Sequence, residues 1–505
     1  MFRKVLIANR GEIACRVMRS LRELGISPVA VASEADARAK HVRLADQVVI
    51  LGPAASRESY LRADRIIEAC KQTGAEAIHP GYGFLSESEV LRDACDAAGI
   101  VFIGPTSSAM RAMGNKTRAR EVMQAAGVPI VPGATRAARD GADVTAMARE
   151  VGYPVLLKAS SGGGGKGMRL VEREAELVAA FESCSREAAS AFGDGSVYVE
   201  RAIIRPRHIE IQIFADKYGN AVYCFERECS VQRRHQKVIE EAPAANLSDA
   251  TRRAMGAVAV KAALAIAYEG AGTIEFLVDA DENFYFLEMN TRLQVEHPVT
   301  EMISGLDLVK LQVLVAAGQP LPFVQEQLVR RGHAIECRLY AEDPYQNFMP
   351  SPGPLRRYRP PTGPGVRVDD GVEEGDVVSR FYDPMVAKIA VWGDDREAAI
   401  AKMHAALAEL RVAGIRTNRA FLQELLAHPD FVAGRYSTAL IGSMGALVAK
   451  SPSEADEEQA AALAVVLAHR QDQARRPAAT ATSADRAWSV TARADALRRW
   501  GGAAS

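Results

Sequence analysis

The sequence predicts a mixed α/β chain, with an open parallel sheet leading into antiparallel hairpins. Three observations carry that expectation. Short apolar runs alternate with helical patterns from residue 1 to about 113. A glycine-rich turn joins two apolar runs between Tyr153 and Val171, and the polar turn A-D-E-N joins two more between Gly272 and Asn290. Alternating runs and helices are the pattern of βαβ units, whereas two runs closed by a short turn make a hairpin.

Taken in order, K-V-L-I-A (4–8) and S-P-V-A-V-A (27–32) read as strands, with a helix of apolar spacing over 12–24 between them. A-D-Q-V-V-I-L (45–51), A-E-A-I-H-P (75–80) and I-V-F-I-G-P (100–105) continue the series. The first turn is A-N-R-G-E-I rather than G-x-G-x-x-G, which argues against a dinucleotide domain. Residues 114–317 hold the glycine turn and the antiparallel strands. A third segment, 318–446, mixes strands (334–339, 385–392) with a helix over 396–410, and its Pro/Gly-rich stretch 350–365 reads as a surface loop. Residues 447–505 form an Ala-rich tail, helical over 454–468 and then tether-like at R-R-P-A-A-T-A-T-S-A.

The 505 residues suffice for several domains, and 48% hydrophobic with 25% charged residues is ordinary for a globular protein. A formal net charge of −1 gives no global pull toward nucleic acid or a membrane surface. The seven cysteines form no C-x-x-C pair, so they are expected as buried apolar residues in a reducing compartment. With no secretory leader and no apolar run long enough to span a bilayer, a cytoplasmic location is expected.

S-S-G-G-G-G-K-G-M-R-L (160–170) is either a connector or a loop over phosphate. Its position between two strands favours the loop, since glycine lets successive N–H groups approach one anion. It is not a P-loop, because no Ser or Thr follows the lysine. If a four-residue loop at 280–283 closes the second hairpin, Glu275 faces Glu288, with Asn290 on the same face. Two facing carboxylates among apolar residues need positive charge between them. Mg²⁺ or Mn²⁺ with nucleotide phosphates would supply it, and so would neighbouring arginines. Just beyond lie Arg292, suited to a planar anion, and Glu296, a candidate general base; an ordinary ion pair is the alternative for both. R-E-C-S-V-Q-R-R-H-Q-K (227–237) is a solvated face or a focused anion site, and Lys116 and Lys158 are further phosphate candidates.

A-N-R-G-E-I-A (8–14), H-P-G-Y-G-F-L-S-E (79–87), K-A-S-S-G-G-G-G-K-G-M-R (158–169), R-R-H-Q-K (233–237) and E-M-N-T-R-L-Q-V-E-H-P-V-T-E (288–301) together resemble the biotin carboxylase component of biotin-dependent acyl-CoA carboxylases. The resemblance covers residues 1 to about 446. It implies an ATP-grasp fold: a Rossmann-like N-terminal domain (1–113), an ATP-grasp domain (114–317) with a mobile lid at about 131–203, a C-terminal domain (318–446), and the tail beyond. The implied reaction carboxylates carrier-bound biotin at N1, using ATP and bicarbonate, through carboxyphosphate.

By resemblance, Lys116, Lys158, Gly164, Gly165, Glu200, Arg201, Ala202, Ile203, His208 and His235 contact ATP, and Glu275, Glu288 and Asn290 hold Mg²⁺ or Mn²⁺. Lys237, Arg292, Gln294, Val295 and Glu296 surround bicarbonate, with Glu296 as base. Arg338 stabilises the enolate-like biotin oxygen, and Tyr82 and Gly83 line the biotin pocket. Arg201 stands where the family often has lysine. Pro364 replaces an aromatic near the family's dimer contact, where Arg16, Arg19, Glu23 and Arg367 still suit a homodimer. No A-M-K-M acceptor motif occurs, so separate carrier and carboxyltransferase chains are the expectation. The final acceptor, an acyl-CoA or pyruvate, stays open. Another ATP-grasp ligase and a nucleotide-binding regulatory subunit are the competing readings.

Overall fold

The computed structural model describes residues 1–134, 136–159, 167–445, 447, 462–470 and 491, with the side chains of Lys116, Thr117 and Phe192 left aside. The chain divides into two compact units, Met1–Ala446 and Leu447–Ser505. In the second, residues 462–470 are helical; the remainder of the helix expected at 454–468, and the tether, fall outside the described residues.

The expected parallel sheet is present, in the order Gln47–Gly52, Ser27–Ser33, Lys4–Ile7, Ala77–His79, Val101–Phe102. Helix Gly11–Glu23 buries Ile13, Val17, Met18 and Leu21 against Val5 and Ile7. Immediately before it, Asn9 donates to the carbonyls of Pro80 and Tyr82 at 2.7 and 2.8 Å, tying the Tyr82 loop to the helix start. Gly81 between them has φ +64, and a Cβ there would lie 2.8 Å from the Asn9 amide, so this close approach requires glycine.

The two runs flanking the glycine-rich segment do pair: Val155–Ala159 is antiparallel to Met168–Val171, and Val197–Arg201 adds a third strand. Helices Gly141–Val151 and Glu174–Phe192 cover this small sheet with a core of its own, including Val144, Leu157, Leu177 and Val199. Residues 160–166, with Gly164 and Gly165, lie outside the described residues.

An eight-stranded antiparallel sheet forms the centre, in the order Phe284–Asn290, Gly270–Val278, Arg207–Ala215, Ala221–Arg233, Gln236–Ala242, His333–Tyr340, Met385–Gly393, Val366–Asp370. The segments on either side of residue 317 therefore share one sheet, through pairs such as Ile239 with Cys337. Strict alternation over 208–213 sends Ile209, Ile211 and Ile213 into an apolar core, while His208, Glu210 and Gln212 go to the opposite face, also buried. The stretch 350–365 is more ordered than a plain loop. Short ladders at Met349–Pro350, Gly353–Pro354 and Arg357–Arg359 pair with 342–343, 377–378 and 411–413. Proline is compatible with such short edge pairings. All seven cysteines are free and buried. Among the described residues, no helix is long and apolar enough to cross a membrane.

Candidate functional site

The polar face of the central sheet carries the site. Its first part is the hairpin Gly270–Val278/Phe284–Asn290. The loop has five residues, because Val278 pairs with Phe284, rather than the four expected. A register shift just after Glu275 compensates, and Glu275 faces Glu288 as predicted. Asn290 lies on the same face and donates to Glu275 Oε1 at 2.8 Å. Glu275 finds its positive charge within the protein. Lys237 Nζ lies 3.0 Å from Glu275 Oε1, and His208 Nε2 lies 3.1 Å from Oε2. Burial would raise the Glu275 carboxyl, but the Lys237 and His208 charges outweigh it and hold it well below the usual range.

Lys237 is the hub. Its ammonium also reaches Glu210 Oε2 at 2.6 Å and Glu296 Oε1 at 2.5 Å. Burial opposes its charge, yet three carboxylates keep it protonated far above the ordinary lysine range. Glu296 is gripped from the other side by Arg338 Nη2 at 2.8 Å, and Arg338 Nε donates to Glu240 at 2.5 Å. Desolvation would raise Glu296, but Lys237, Arg338 and Arg227 together depress it strongly. Burial instead wins at Glu240, raised to about 7 despite Arg338.

Local structure aims these groups. Lys237 follows a two-residue turn, Arg234-His235, between strands Ala221–Arg233 and Gln236–Ala242. Both turn residues are left-handed, with φ 50 and 66, the backbone a tight hairpin demands and glycine usually supplies. Holding two bulky residues there costs about 1–2 kcal/mol each. The basic cluster 227–237 thus divides: Arg227 and Lys237 turn inward, whereas Arg233 pairs with Glu342 at 3.2 Å and lies over the Phe348 ring. Arg292 bonds Glu87 Oε2 at 3.0 Å and Asn290 Oδ1 at 2.8 Å. Gln294 donates to Glu275 at 2.8 Å, and Glu296 immediately precedes helix His297–Ser304, which has Pro298 in its first turn and receives no capping hydrogen bond from the Glu296 side chain.

Two cavities meet at this cluster. The first, of about 520 Å³, is lined by Lys158, Glu200, His208, His235, Glu275, Glu288 and Asn290, together with Lys237, Arg292, Gln294, Val295, Glu296 and Arg338. The second, of about 510 Å³, is aromatic, walled by Tyr82, Gly83, Phe84, Tyr340 and Tyr382. Arg292, Val295 and Arg338 line both. Glu200 pairs with Lys158 and Arg120 at the wall of the first. Arg201, Ala202 and Ile203 continue from it without lining that cavity; the backbones of Arg201 and Ala202 bond Pro132 and Pro154 at 2.8 and 2.9 Å. Lys116 opens helix Lys116–Ala125, with its side chain outside the described residues.

Two groups in the cluster, Glu210 and Glu240, escaped the sequence reading, and Arg227 entered it only as the first residue of the basic run 227–237. Arg227 is fully buried and spends its guanidinium on Glu210, Gln212, Thr300, Thr273 and Gln294, at 2.5 to 3.1 Å. The detectable signal was H-I-E-I-Q-I, a strand with polar residues on one face and isoleucine on the other, where both faces prove buried.

Residues 1–110 match "Biotin carboxylase, N-terminal domain", residues 115–324 "Carbamoyl-phosphate synthase L chain, ATP binding domain" and residues 336–443 "Biotin carboxylase C-terminal domain". The mitochondrial methylcrotonoyl-CoA carboxylase subunit alpha of Dictyostelium discoideum is 53% identical over 87% of this chain and 63% of its own length. The chain thus spans about three fifths of that relative. The biotin carboxylase of Halalkalibacterium halodurans is 51% identical over 87% of this chain and 97% of its own. The biotin carboxylase domain dimer of Hydrogenobacter thermophilus 2-oxoglutarate carboxylase, solved with MgADP, ADP and bicarbonate, superposes with TM-score 0.84 at 46% identity, covering 89% of this chain and 100% of that one. With a biotin carboxylase matched over nearly its whole length and both flanking domain families in place, this chain belongs to the biotin carboxylase family of ATP-grasp ligases.

Proposed function

We propose that the cluster around Lys237 activates bicarbonate with ATP in the first cavity and passes the carboxyl group to N1 of biotin entering through the second. The supporting observation is the shared wall: Arg292, Val295 and Arg338 border both cavities, so an anion and an aromatic-lined guest can meet there. Lys237 and Arg292 offer a planar anion the donors it needs. Glu296 takes the bicarbonate proton, and the freed oxygen attacks the γ-phosphorus to give ADP and carboxyphosphate. Pressed far down by Lys237 and Arg338, Glu296 is a weak base while the site is free of anion. An anion that takes over those two cations raises its proton affinity, which ties proton removal to the anion's arrival. Carboxyphosphate then splits into CO₂ and phosphate, the phosphate takes the N1 proton of biotin, and the nitrogen bonds the CO₂ carbon while Arg338 faces the oxyanion developing on the biotin ring.

The donor set Glu275, Glu288 and Asn290 consists of hard oxygens on facing strands and fits Mg²⁺ or Mn²⁺. When bound, the cation neutralises phosphate charge during transfer. Lys116, Lys158, Glu200 to Ile203, His208, His235, Gly164 and Gly165 serve the nucleotide in this reading, and Tyr82 and Gly83 serve biotin.

The larger assembly is also part of the proposal: the chain supplies the first half-reaction of an acyl-CoA carboxylase. Biotin arrives on a carrier outside these 505 residues, a separate carboxyltransferase completes the reaction, and the chain works as a cytoplasmic homodimer. The domain limits 1–113, 114–317 and 318–446 belong to the same reading. ATP hydrolysis with Mg²⁺ and bicarbonate, with and without free biotin, tests it. Stimulation by biotin that requires bicarbonate supports the proposal. Failure of both free biotin and a biotinylated carrier to stimulate leaves another ATP-grasp ligase as the reading.

A further inference from the structure

Lys388 lies on strand Met385–Gly393, directly opposite Arg338 in register, and its side chain is 0% exposed. A lysine so deep must be matched by polar partners, or it costs several kcal/mol. Its partners come from three separate parts of the chain. Glu12 Oε1 of the first helix lies 3.2 Å away and Asp369 Oδ2 of the edge strand 4.0 Å away. The closest contact is a hydrogen bond of 2.7 Å donated to the backbone carbonyl of Val295. The ammonium also stands 5.8 Å from the centre of the Tyr82 ring, on the wall of the aromatic cavity.

We propose that Lys388 is a positioning residue for bicarbonate: it anchors the Val295 carbonyl and thereby fixes the Val295–Glu296 peptide at the junction of the two cavities. The inference rests on the assignment of bicarbonate to Lys237, Arg292 and Glu296 made above. A trans peptide holds its C=O and N–H in opposite directions. Drawing the Val295 carbonyl onto Lys388 therefore turns the Glu296 N–H away from Lys388 and sets the start of the Glu296 side chain. Lys388 touches none of the proposed reacting groups. Its contribution is the orientation of a backbone segment that no side chain of the hub secures at this carbonyl: Arg227 grips the Gln294 side chain, and Lys237 and Arg338 grip the Glu296 carboxylate.

Removing Lys388 alone strands Glu12, so Lys388→Met can fail to fold for reasons of charge alone. The informative pair is Glu12→Gln and Glu12→Gln/Lys388→Met, in which no carboxylate is left facing an absent ammonium from the helix. The expected result is a bicarbonate KM raised at least about tenfold in the double variant over Glu12→Gln, with the ATP KM of the two within about twofold. The double variant should also recover much of the melting temperature lost in Lys388→Met. Equal bicarbonate KM values in the pair overturn the inference, and so does a parallel rise in both KM values, because either outcome reduces Lys388 to a folding residue. If the unmodified chain hydrolyses ATP without any dependence on bicarbonate, the functional assignment itself fails, and this inference falls with it.

Discussion

The small three-stranded sheet and the face of the central sheet are both dense in ion pairs, yet the pairs differ in kind. On the helices that cover the small sheet, away from the buried Glu200 at the cavity wall, Arg149–Glu174 and Arg173–Glu176 each meet at 2.5 Å, with side chains 44 to 79% exposed. Around Lys237, the partners Glu210, Glu275 and Glu296 are almost wholly buried. Water screens the first set, and such pairs contribute little to stability. The second set has given up its hydration, and a core of apolar residues would fold at least as well. The comparison teaches that the charge around Lys237 is retained against a desolvation penalty, which a site for chemistry requires, whereas the exposed pairs are held at no such penalty.

Substitutions can break that contrast, and the largest effects belong to the buried set. Glu296→Gln should reduce bicarbonate-dependent ATP hydrolysis by about 10²–10⁴-fold, with the ATP KM little changed, because a base is lost and the nucleotide wall is intact. Steady-state kinetics would show it; full activity in this variant would remove Glu296 from its assigned role. Arg338→Ala should lower the biotin-stimulated increment by about 10²–10³-fold, read as turnover with saturating biotin. Lys237→Met leaves three carboxylates facing one another and should destabilise the fold by about 3–5 kcal/mol in denaturant titration. A loss near zero would mean the cluster is better hydrated than its burial indicates.

A milder effect concerns pH at a buried pair away from the cavities. Burial would raise Glu241, but His333 at 2.5 Å and Arg396 at 2.7 Å outweigh it and bring the carboxyl down to about 2. A depressed carboxylate contributes stability that is complete above its unfolded value near 4.5 and is lost as pH falls toward 2. The unfolding midpoint should therefore drop between about pH 5 and pH 2, and Glu241→Gln should flatten that part of the curve. Smallest of all, Arg149→Ala should move the melting temperature by less than about 1 °C. A large shift there would erase the distinction between the two sets.

Much of this was legible because period and spacing survive in the sequence. The parallel sheet followed from apolar runs at regular intervals. Glu275 opposite Glu288 followed from counting back from a turn, although the loop is one residue longer than counted and a register shift restores the pairing. Glu210 and Glu240 were not legible, and neither was the inward course of Arg227 within its basic run. A polar residue at every second position of a strand normally faces water, and only the tertiary structure shows that face covered. Lys388 is hidden for the same reason: M-V-A-K-I-A-V-W reads only as a strand, yet Glu12, Asp369 and the Val295 carbonyl arrive at its lysine from three distant segments.

The central claim is that the buried cluster makes a bicarbonate oxygen attack the γ-phosphorus of ATP. The most direct measurement follows ¹⁸O from labelled bicarbonate during biotin-stimulated turnover, before the label exchanges with water. The account predicts that phosphate is released carrying one oxygen from bicarbonate. Unlabelled phosphate, released at the full biotin-stimulated rate, would contradict it.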